Sequence, residues 1–298
     1  MTIPRRKLFF SIIVAVALLL TGVVLALLFL KPHSAGRPFD GQQAYQDVLA
    51  QMALGPRTVG SEAHTQVIAY IQQQLKQAGW RVQIQSTQWK GFPVQNIIAT
   101  RGGTTPQILL GAHYDSRSLA DQDTGPGKNA PVPGANDGAS GVAVLLELAR
   151  ALPSNTVPVE LVFLDAEDDG GLSGREWSMG SRAFVASLTE KPQAVVIVDM
   201  VGDKDLNLYI ERNSNFELAS AIWKQAAALG FDKQFIYEPK WSMIDDHTPF
   251  LEAGIPAVDI IDFDYPYWHT SADTADKVAP KSLYIVGETL RQWLLAQK

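Results

Sequence analysis

Acidic residues and histidines follow one apolar run after another along this sequence. The run ILLGAHYDS ends in His113 and Asp115, LVFLDAEDDGG ends in Glu167, Asp168 and Asp169, and VVIVDM contains Asp199. Such side chains can move a proton or bind a metal ion, and each comes where a β-strand is expected to end. These residues are therefore the first candidates for a site of chemistry.

Three further segments add residues of the same types. PGANDGASG places Asp137 just before an apolar helical pattern, and YPYWHTSADT places His269 after a strand-like run. DDHTPF supplies Asp245, Asp246 and His247. Taken alone, Asp137 would cap the following helix, and a single histidine after a strand is more often a core residue. Their joint placement indicates one metal site, because carboxylates with one or two imidazoles suit Zn²⁺ or a similar divalent ion.

Glu167 and Asp168 make chemical sense as an adjacent pair. Neighbouring side chains of an extended chain point apart, so one carboxylate can bind the metal while the other acts as a general base. A glutamate in a dry, anion-rich pocket should have its pKa raised toward the working pH. The alternative is that the pair forms a solvated loop face.

The elements that must position these residues alternate between strands and helices. Apolar spacing of three and four predicts helices over 44–52, 65–78, 141–152, 181–188, 217–229 and 281–295. Short apolar or alternating runs predict strands over 80–89, 96–100, 107–112, 159–165, 194–200 and 257–261. This order predicts a three-layer α/β fold, with a central mixed, mostly parallel sheet flanked by helices. Ligands of such sheets bind at the carboxyl ends of the strands, where the candidate residues would converge.

Composition places the chain among ordinary globular proteins. Of its 298 residues 46% are apolar and 19% are charged, and it has no Cys, which excludes thiol nucleophiles and every Cys-ligated metal. The net charge is −6, but the first 37 residues hold five bases and no acid. The rest carries 20 bases against 31 acids, about −11, so binding to nucleic acid is not expected.

The N-terminal segment predicts a membrane anchor. Residues 8–30 are uncharged and long enough as a helix to cross the roughly 30 Å of bilayer hydrocarbon. Arg5, Arg6 and Lys7 stand before them, which predicts a cytoplasmic N-terminus and a periplasmic or extracellular body. We predict a cytoplasmic stub and transmembrane signal-anchor over 1–31, a tether over 32–40 and a single catalytic domain over 41–298. A cleaved signal peptide is the alternative, although its apolar core is usually about 7–15 residues long.

From GPRTVGSEAHTQVIAYIQQQLKQAGW to DTADKV, the chain resembles the co-catalytic zinc aminopeptidase superfamily, which includes the animal-type glutaminyl cyclases. The resemblance implies a zinc-dependent domain with Asp137, Asp168 and His269 as metal ligands and Glu167 as the acid/base residue. In the aminopeptidases a second zinc would add His113 and Asp199, with Asp137 bridging the two ions. The shared motifs cover nearly all of the body.

Several features are more similar to the cyclases. Asp245 and Asp246 are paired in DDHTPFLEAGIP, Trp268 directly precedes His269, and Trp177 follows the Glu–Asp pair in EWSMGSRAF. The resemblance implies that Trp177 and Trp268 line the substrate pocket and that Asp199 and Asp246 make hydrogen bonds beside Glu167. Core packing is the alternative role for the tryptophans. Two features depart from the cyclases: Asp168 stands where they usually have Glu, and their disulfide pair is missing.

The resemblance therefore implies an enzyme that acts on peptide or protein N-termini. The first expectation is a glutaminyl-peptide cyclotransferase with one Zn²⁺, which cyclises N-terminal Gln to pyroglutamate and releases ammonia. The alternative is a di-zinc aminopeptidase, in which Glu167 would activate water for attack on the first peptide bond. A second alternative is a membrane-tethered binding module that has lost the chemistry.

Overall fold

The computed structural model describes residues 36–102 and 107–297, and a six-stranded sheet runs through this part of the chain. Its strands lie in the order β1–β2–β4–β3–β5–β8, and a separate pair is formed by β6 and β7. β4, β3, β5 and β8 are parallel, whereas β1 and β2 are antiparallel. The strands are β1 (Arg81–Trp89), β2 (Phe92–Arg101), β3 (Ile108–His113), β4 (Val159–Leu164), β5 (Ala194–Asp199), β6 (Leu208–Ile210), β7 (Phe235–Pro239) and β8 (Ala257–Ile261).

Helices cover both faces of the sheet. α1, α2, α3, α5 and α7 contribute to the larger apolar core, whereas α4 and α6 pack on the opposite face through Phe184 and Phe250. The helices are α1 (Gly41–Met52), α2 (Glu62–Gln77), α3 (Ala139–Ala151), α4 (Met179–Ser187), α5 (Phe216–Ala228), α6 (Thr248–Glu252) and α7 (Pro280–Ala296). The predicted mixed, mostly parallel sheet flanked by helices is confirmed.

The central strands are buried on both faces, which explains their unbroken apolar runs. In β5, Val196 and Val198 join the core on the side of α3, and Val195 and Ile197 join the core on the side of α4. Helix α3 lies close to this strand, because a Cβ built on Gly141 would stand 2.1 Å from the carbonyl oxygen of Val198. The sheet and α3 therefore fix the position of the loop that precedes the helix.

Most predicted elements differ from the observed ones by one to three residues at their ends, and β2 begins four residues earlier. The predicted helix over 65–78 begins at Glu62, because Ser61 caps it by accepting a hydrogen bond from the backbone N–H of His64. The short elements β6, β7 and α6 were not predicted. Their three to five residues are too few to show a period.

The predicted anchor over 1–31 and residues 32–35 of the predicted tether lie outside the described residues. Within 36–102 and 107–297, no helix is long and apolar enough to cross a membrane. The described end of the tether, residues 36–40, packs on the domain. The Phe39 side chain is buried, and its backbone N–H donates to Glu288 Oε2 at 3.1 Å.

Candidate functional site

The strand ends bring the predicted residues to one cavity. His113 ends β3, Glu167 and Asp168 follow β4, and Asp199 ends β5. The cavity has a volume of about 290 Å³. Of the predicted site residues, the following line it: Asp137, Glu167, Asp168, Trp177, Asp199, Trp268 and His269. Neighbouring strand ends thus place residues that are up to 132 positions apart beside one another.

Asp137, Asp168 and His269 form the first cluster of donor atoms. One ligand atom from each lies within 4.8 Å of the others, and all three side chains are buried. His269 Nε2 is 2.9 Å from Asp168 Oδ1 and 3.8 Å from Asp137 Oδ2. Asp137 Oδ2 and Asp168 Oδ2 are buried without a hydrogen-bond partner. Orphaned carboxylate oxygens beside an imidazole fit a zinc ion, which would satisfy both.

His113, Asp137 and Asp199 form the second cluster, also with ligand atoms within 4.8 Å of one another. His113 Nε2 lies 3.1 Å from Asp137 Oδ1 and 3.1 Å from Asp199 Oδ1. Asp137 therefore belongs to both clusters, with one oxygen facing each. This arrangement could hold a second metal ion, as the resemblance to aminopeptidases implies.

Two other buried aspartates hold the backbone of these residues in place. Asp273 accepts hydrogen bonds from the backbone N–H groups of Asn136 and Asp137, at 2.9 and 3.1 Å. Asp115 accepts from the backbone N–H groups of Glu167 and Asp168, at 3.1 and 3.2 Å. Sequence analysis missed the role of Asp273. Its position four residues after His269, in HTSADT, was the one available signal.

Arg57 is a second residue that sequence analysis missed. Its guanidinium is buried and donates to the carbonyl oxygens of Tyr114, Pro133 and Gly134, at 3.1, 2.9 and 2.6 Å. These bonds join the segment after β3 to the loop that carries Asp137. Because Arg57 lies in a loop between two helices, no periodic pattern marks it.

Several site residues have unusual backbone conformations. Ala166 directly precedes Glu167 and has a φ of 53°, Met200 directly follows Asp199 with 45°, and His269 itself has 53°. Residues other than glycine seldom adopt positive φ, and such strain concentrates at functional sites. The strain at Ala166 and His269 therefore occurs where the chain must aim a carboxylate and an imidazole at the cavity.

Burial sets the protonation of the carboxylates. It raises the pKa of Glu167 well above the usual range, and the negative charges of Asp245 and Asp246 add to this shift. Burial raises the pKa of Asp168 to about 6, with a further contribution from the charge of Asp137. Burial also raises the pKa of Asp199 to about 7. Acids whose pKa values are raised in this way can hold a proton and exchange it with a substrate.

Asp137 behaves differently from its neighbours. Burial opposes its ionisation, but its hydrogen bond to His113 and the charge of that ring outweigh burial, so the pKa of Asp137 is lowered. Burial acts against the charged form of His269 as well, yet the adjacent Asp168 raises the pKa of that ring. Asp137 is therefore the carboxylate in the clusters that is ionised most readily.

Tryptophans form walls of the cavity. The Trp177 ring lies parallel to the His269 ring, with centroids 6.0 Å apart and an interplanar angle of 13°. Trp268 also stacks on the His269 ring, with the two centroids 3.8 Å apart. Arg117 lies over Trp177 at 5.1 Å and donates to the carbonyl oxygen of Asp168 at 2.5 Å. Both tryptophans thus contact the candidate ligand and the cavity together.

Asp246 lies deeper than the other predicted residues. It is fully buried, and neither carboxylate oxygen has a hydrogen-bond partner. Its charge nevertheless acts on Glu167. The neighbouring Asp245, which sequence analysis assigned no role, lines the cavity. The structure therefore places Asp245 beside the cavity and Asp246 behind it.

A mostly parallel sheet with clustered carboxylates and imidazoles at its carboxyl ends, beside a small cavity, is the architecture of a metal-dependent enzyme. Comparison with known proteins agrees with this class. The model of the family described as peptidase family M28 matches residues 96–294, more than half of the chain. The chain belongs to peptidase family M28.

Related proteins fall into two reaction classes. The glutaminyl-peptide cyclotransferase-like protein of Bos taurus is 28% identical, over 80% of this chain and 71% of that protein. The glutaminyl cyclase of Tannerella forsythia has a TM-score of 0.81 and 31% identity, covering 88% of this chain and 100% of the other. A Zn-dependent exopeptidase of Parabacteroides distasonis has a TM-score of 0.83 and 29% identity, with 88% and 100% covered.

Proposed function

We propose that this chain is a zinc-dependent glutaminyl-peptide cyclotransferase, which converts N-terminal Gln of a peptide to pyroglutamate and releases ammonia. One observation favours this reaction over that of an aminopeptidase. The first cluster contains two buried carboxylate oxygens without any hydrogen-bond partner, whereas the facing oxygens of the second cluster lie 3.1 Å from His113 Nε2. This difference favours a single cation at the first cluster, which is the stoichiometry expected of the cyclase.

Asp137, Asp168 and His269 would hold the zinc ion. Bound there, zinc would polarise the side-chain carbonyl of the substrate Gln as a Lewis acid. The chain itself contributes the proton transfers. Glu167 lies next to Asp168 and has no place among the ligands, so its carboxylate is free to act as a base.

Glu167 removes a proton from the α-ammonium group of the substrate. The amine nitrogen then attacks the side-chain amide carbon, the new C–N bond closes a five-membered lactam ring, and the old C–N bond breaks. The attacking nitrogen gives up two protons in all. Glu167 passes one of them to the leaving nitrogen, which departs as ammonia, and the second is released to solvent or taken up by the ammonia as ammonium. The raised pKa of Glu167 suits this exchange, since an α-ammonium group loses its proton near pH 8.

The cavity supports a compact substrate side chain. Trp177 and Trp268 supply flat apolar walls, and Met243 and Phe263 add further apolar surface. These walls would press the Gln side chain against its own amine, and such proximity replaces a bimolecular encounter. The acid Asp199 would face the positively charged amine.

The second candidate function is a di-zinc aminopeptidase. The observation that favours it is the complete second cluster of His113, Asp137 and Asp199. In that reaction Glu167 would take a proton from water, which attacks the first peptide bond. The same residues would thus release an amino acid in place of ammonia.

A direct assay separates the two. The purified chain, loaded with zinc, is incubated with a Gln-initiated and a Leu-initiated peptide, and both ammonia and free amino acids are measured. We expect ammonia from the Gln-initiated peptide, together with a product lighter by one ammonia. Release of leucine or glutamine without ammonia would establish the aminopeptidase instead. A folded, zinc-loaded chain that releases neither would be a binding module.

We also propose that the catalytic domain acts outside the cytoplasm, held by the N-terminal anchor. Support comes from the sequence alone, in the uncharged residues 8–30 and the bases that precede them. The test is protease treatment of intact cells that express the full chain with a C-terminal tag. Loss of the tag without cell lysis is expected, and a protected tag in the soluble fraction would contradict the proposal.

A further inference from the structure

A third group of buried donor atoms lies outside the two clusters described above. It consists of Asp245, His247 and Asp259, and one ligand atom from each lies within 4.8 Å of the others. Asp245 and His247 belong to the segment just before α6, whereas Asp259 is in the middle of β8. The group therefore connects the loop beside the cavity to an edge strand of the main sheet.

Two side chains of this third cluster, those of His247 and Asp259, are buried without hydrogen-bond partners. Both ring nitrogens of His247 and both carboxylate oxygens of Asp259 lack a hydrogen bond, although each residue is 0% exposed. His247 Nδ1 is 3.7 Å from Asp259 Oδ2, which is too far for a hydrogen bond. Unsatisfied polar groups at this depth destabilise a fold, so the close approach of His247 Nδ1 to the two unpartnered oxygens of Asp259 requires an explanation.

Charge balance points the same way. Asp259 alternates along β8 with Val258 and Ile260, whose side chains belong to the larger core. Its own side chain is therefore on the opposite face of the sheet, where the core contains Phe250. Among the described residues, His247 is the only basic residue within ion-pair distance of Asp259. Burial raises the pKa of Asp259 well above its usual range, and the charge of Asp245 adds to this shift. The cluster thus lacks positive charge.

Glu211 completes the surroundings of His247. Its Oε2 lies 3.3 Å from His247 Nε2, on the side of the ring away from Nδ1. Glu211 is itself fixed, since it accepts hydrogen bonds from the backbone N–H groups of Ser214 and Met243, at 2.7 and 2.9 Å. A carboxylate behind a histidine orients the ring and strengthens the opposite nitrogen as a metal ligand.

We propose that Asp245, His247 and Asp259 bind a divalent transition-metal ion, with His247 Nδ1 as the nitrogen ligand and Glu211 as the acceptor behind the ring. One imidazole and two carboxylates without a thiolate suit zinc. The ion would neutralise the acids and satisfy the orphaned atoms. Its role is structural: it ties the loop that carries Asp245 and Met243, both of which line the cavity, to β8.

The test removes the other two clusters and counts zinc. The full chain carries three substitutions together: Asp137→Asn, Asp168→Asn and Asp199→Asn. The first and second clusters then keep only one histidine each as a metal ligand. After equilibrium dialysis against zinc, elemental analysis should still find one zinc per chain in this triple variant. Adding Asp259→Asn should abolish that zinc. The matched control adds Asp262→Asn, which changes another buried aspartate just after β8, and should retain it.

Circular dichroism verifies that each variant is folded, and His247→Asn replaces Asp259→Asn if the latter does not fold. Zinc should raise the melting temperature of the triple variant and of the Asp262 control, but not that of the chain lacking Asp259 or His247. A triple variant that binds no zinc would overturn the proposal, as would unchanged zinc binding after the loss of Asp259 or His247. Neither outcome depends on which reaction the active site performs.

Discussion

Glu167 and Asp168 are adjacent in the chain but face different groups. Asp168 points to the His269 ring, 2.9 Å from its Nε2, and its carboxylate has an orphaned oxygen for a cation. Among the neighbouring charges, that of Asp245, an acid on the wall of the cavity, has the largest effect on the pKa of Glu167. The proposed metal ligand and the proposed base are therefore separated by a single peptide unit. Both backbone N–H groups of the pair are held by the same Asp115.

At this scale we expect Glu167→Gln to lower kcat at least about 100-fold, because either candidate reaction needs this carboxylate to transfer a proton. Zinc content should not change, since Glu167 is not a ligand. The matched control is Glu160→Gln, which changes a second buried glutamate whose pKa burial raises to about 7. Steady-state rates and elemental analysis test this. Full activity of a folded Glu167→Gln chain would remove the base from both mechanisms.

Trp177 gives a second prediction for a single residue. We expect Trp177→Ala to raise KM for a Gln-initiated peptide about tenfold with a smaller change in kcat, because the lost apolar wall binds the substrate and moves no proton. Tyr237→Ala truncates an aromatic residue that is 51% exposed and does not line the cavity, and it should leave both constants unchanged. A Trp177→Ala chain with unaltered KM would show that this ring only packs against His269.

At the scale of elements, the contact of α3 with β5 fixes Asp137. Gly141 lies in the first turn of α3, and any side chain there would meet the Val198 carbonyl at 2.1 Å. Gly141→Ala should therefore lower the free energy of unfolding by about 1–3 kcal/mol through overpacking. It should also weaken zinc binding, because the start of α3 shifts relative to Asp168. Denaturant titration and zinc titration measure the two effects.

A second glycine separates close packing from backbone strain. Gly60 has a φ of 84° but nothing within 4 Å of a Cβ built on it. Gly60→Ala should lower the free energy of unfolding by only about 1–2 kcal/mol, which is the cost of a left-handed conformation. Its zinc affinity should equal that of the unmodified chain. Equal zinc affinities of the two alanine variants would argue against the proposed link between α3 and the metal site.

Elements also decide how much of the site could be predicted from sequence. Asp168 and His269 could be found because they follow apolar runs, and a parallel sheet gathers the ends of its strands. Asp259 could not, since it lies inside the run AVDII, where one acid among apolar residues gives no sign of its partners. Arg57 was missed because its partners are backbone carbonyls, which every residue has.

At the scale of the whole molecule, the acidic body and its buried carboxylates couple metal binding to stability. Burial raises the pKa of Asp168 to about 6 and that of Asp199 to about 7, from an ordinary value of 3.8. At pH values between the ordinary pKa of 3.8 and these raised pKa values, the two carboxyl groups bind more protons in the folded metal-free chain than in the unfolded chain. The contribution of these two groups to the stability of the folded chain is therefore greatest below about pH 4. This contribution is lost as the pH rises toward 7. Zinc acts in the opposite sense, because its ligands must be deprotonated.

We therefore expect the melting temperature of the zinc-loaded chain to exceed that of the chelator-treated chain by a margin that widens from pH 5 to pH 8. Differential scanning fluorimetry at matched ionic strength measures this margin. In the matched variant with Asp168→Asn and Asp199→Asn, the chelator-treated chain should lose less stability over the same range, since neither amide ionises. The margin should widen because protons and zinc compete for the same carboxylate oxygens of Asp168, and protons become scarcer as the pH rises. A margin that stays constant or narrows with pH would show that these acids do not couple folding to metal binding.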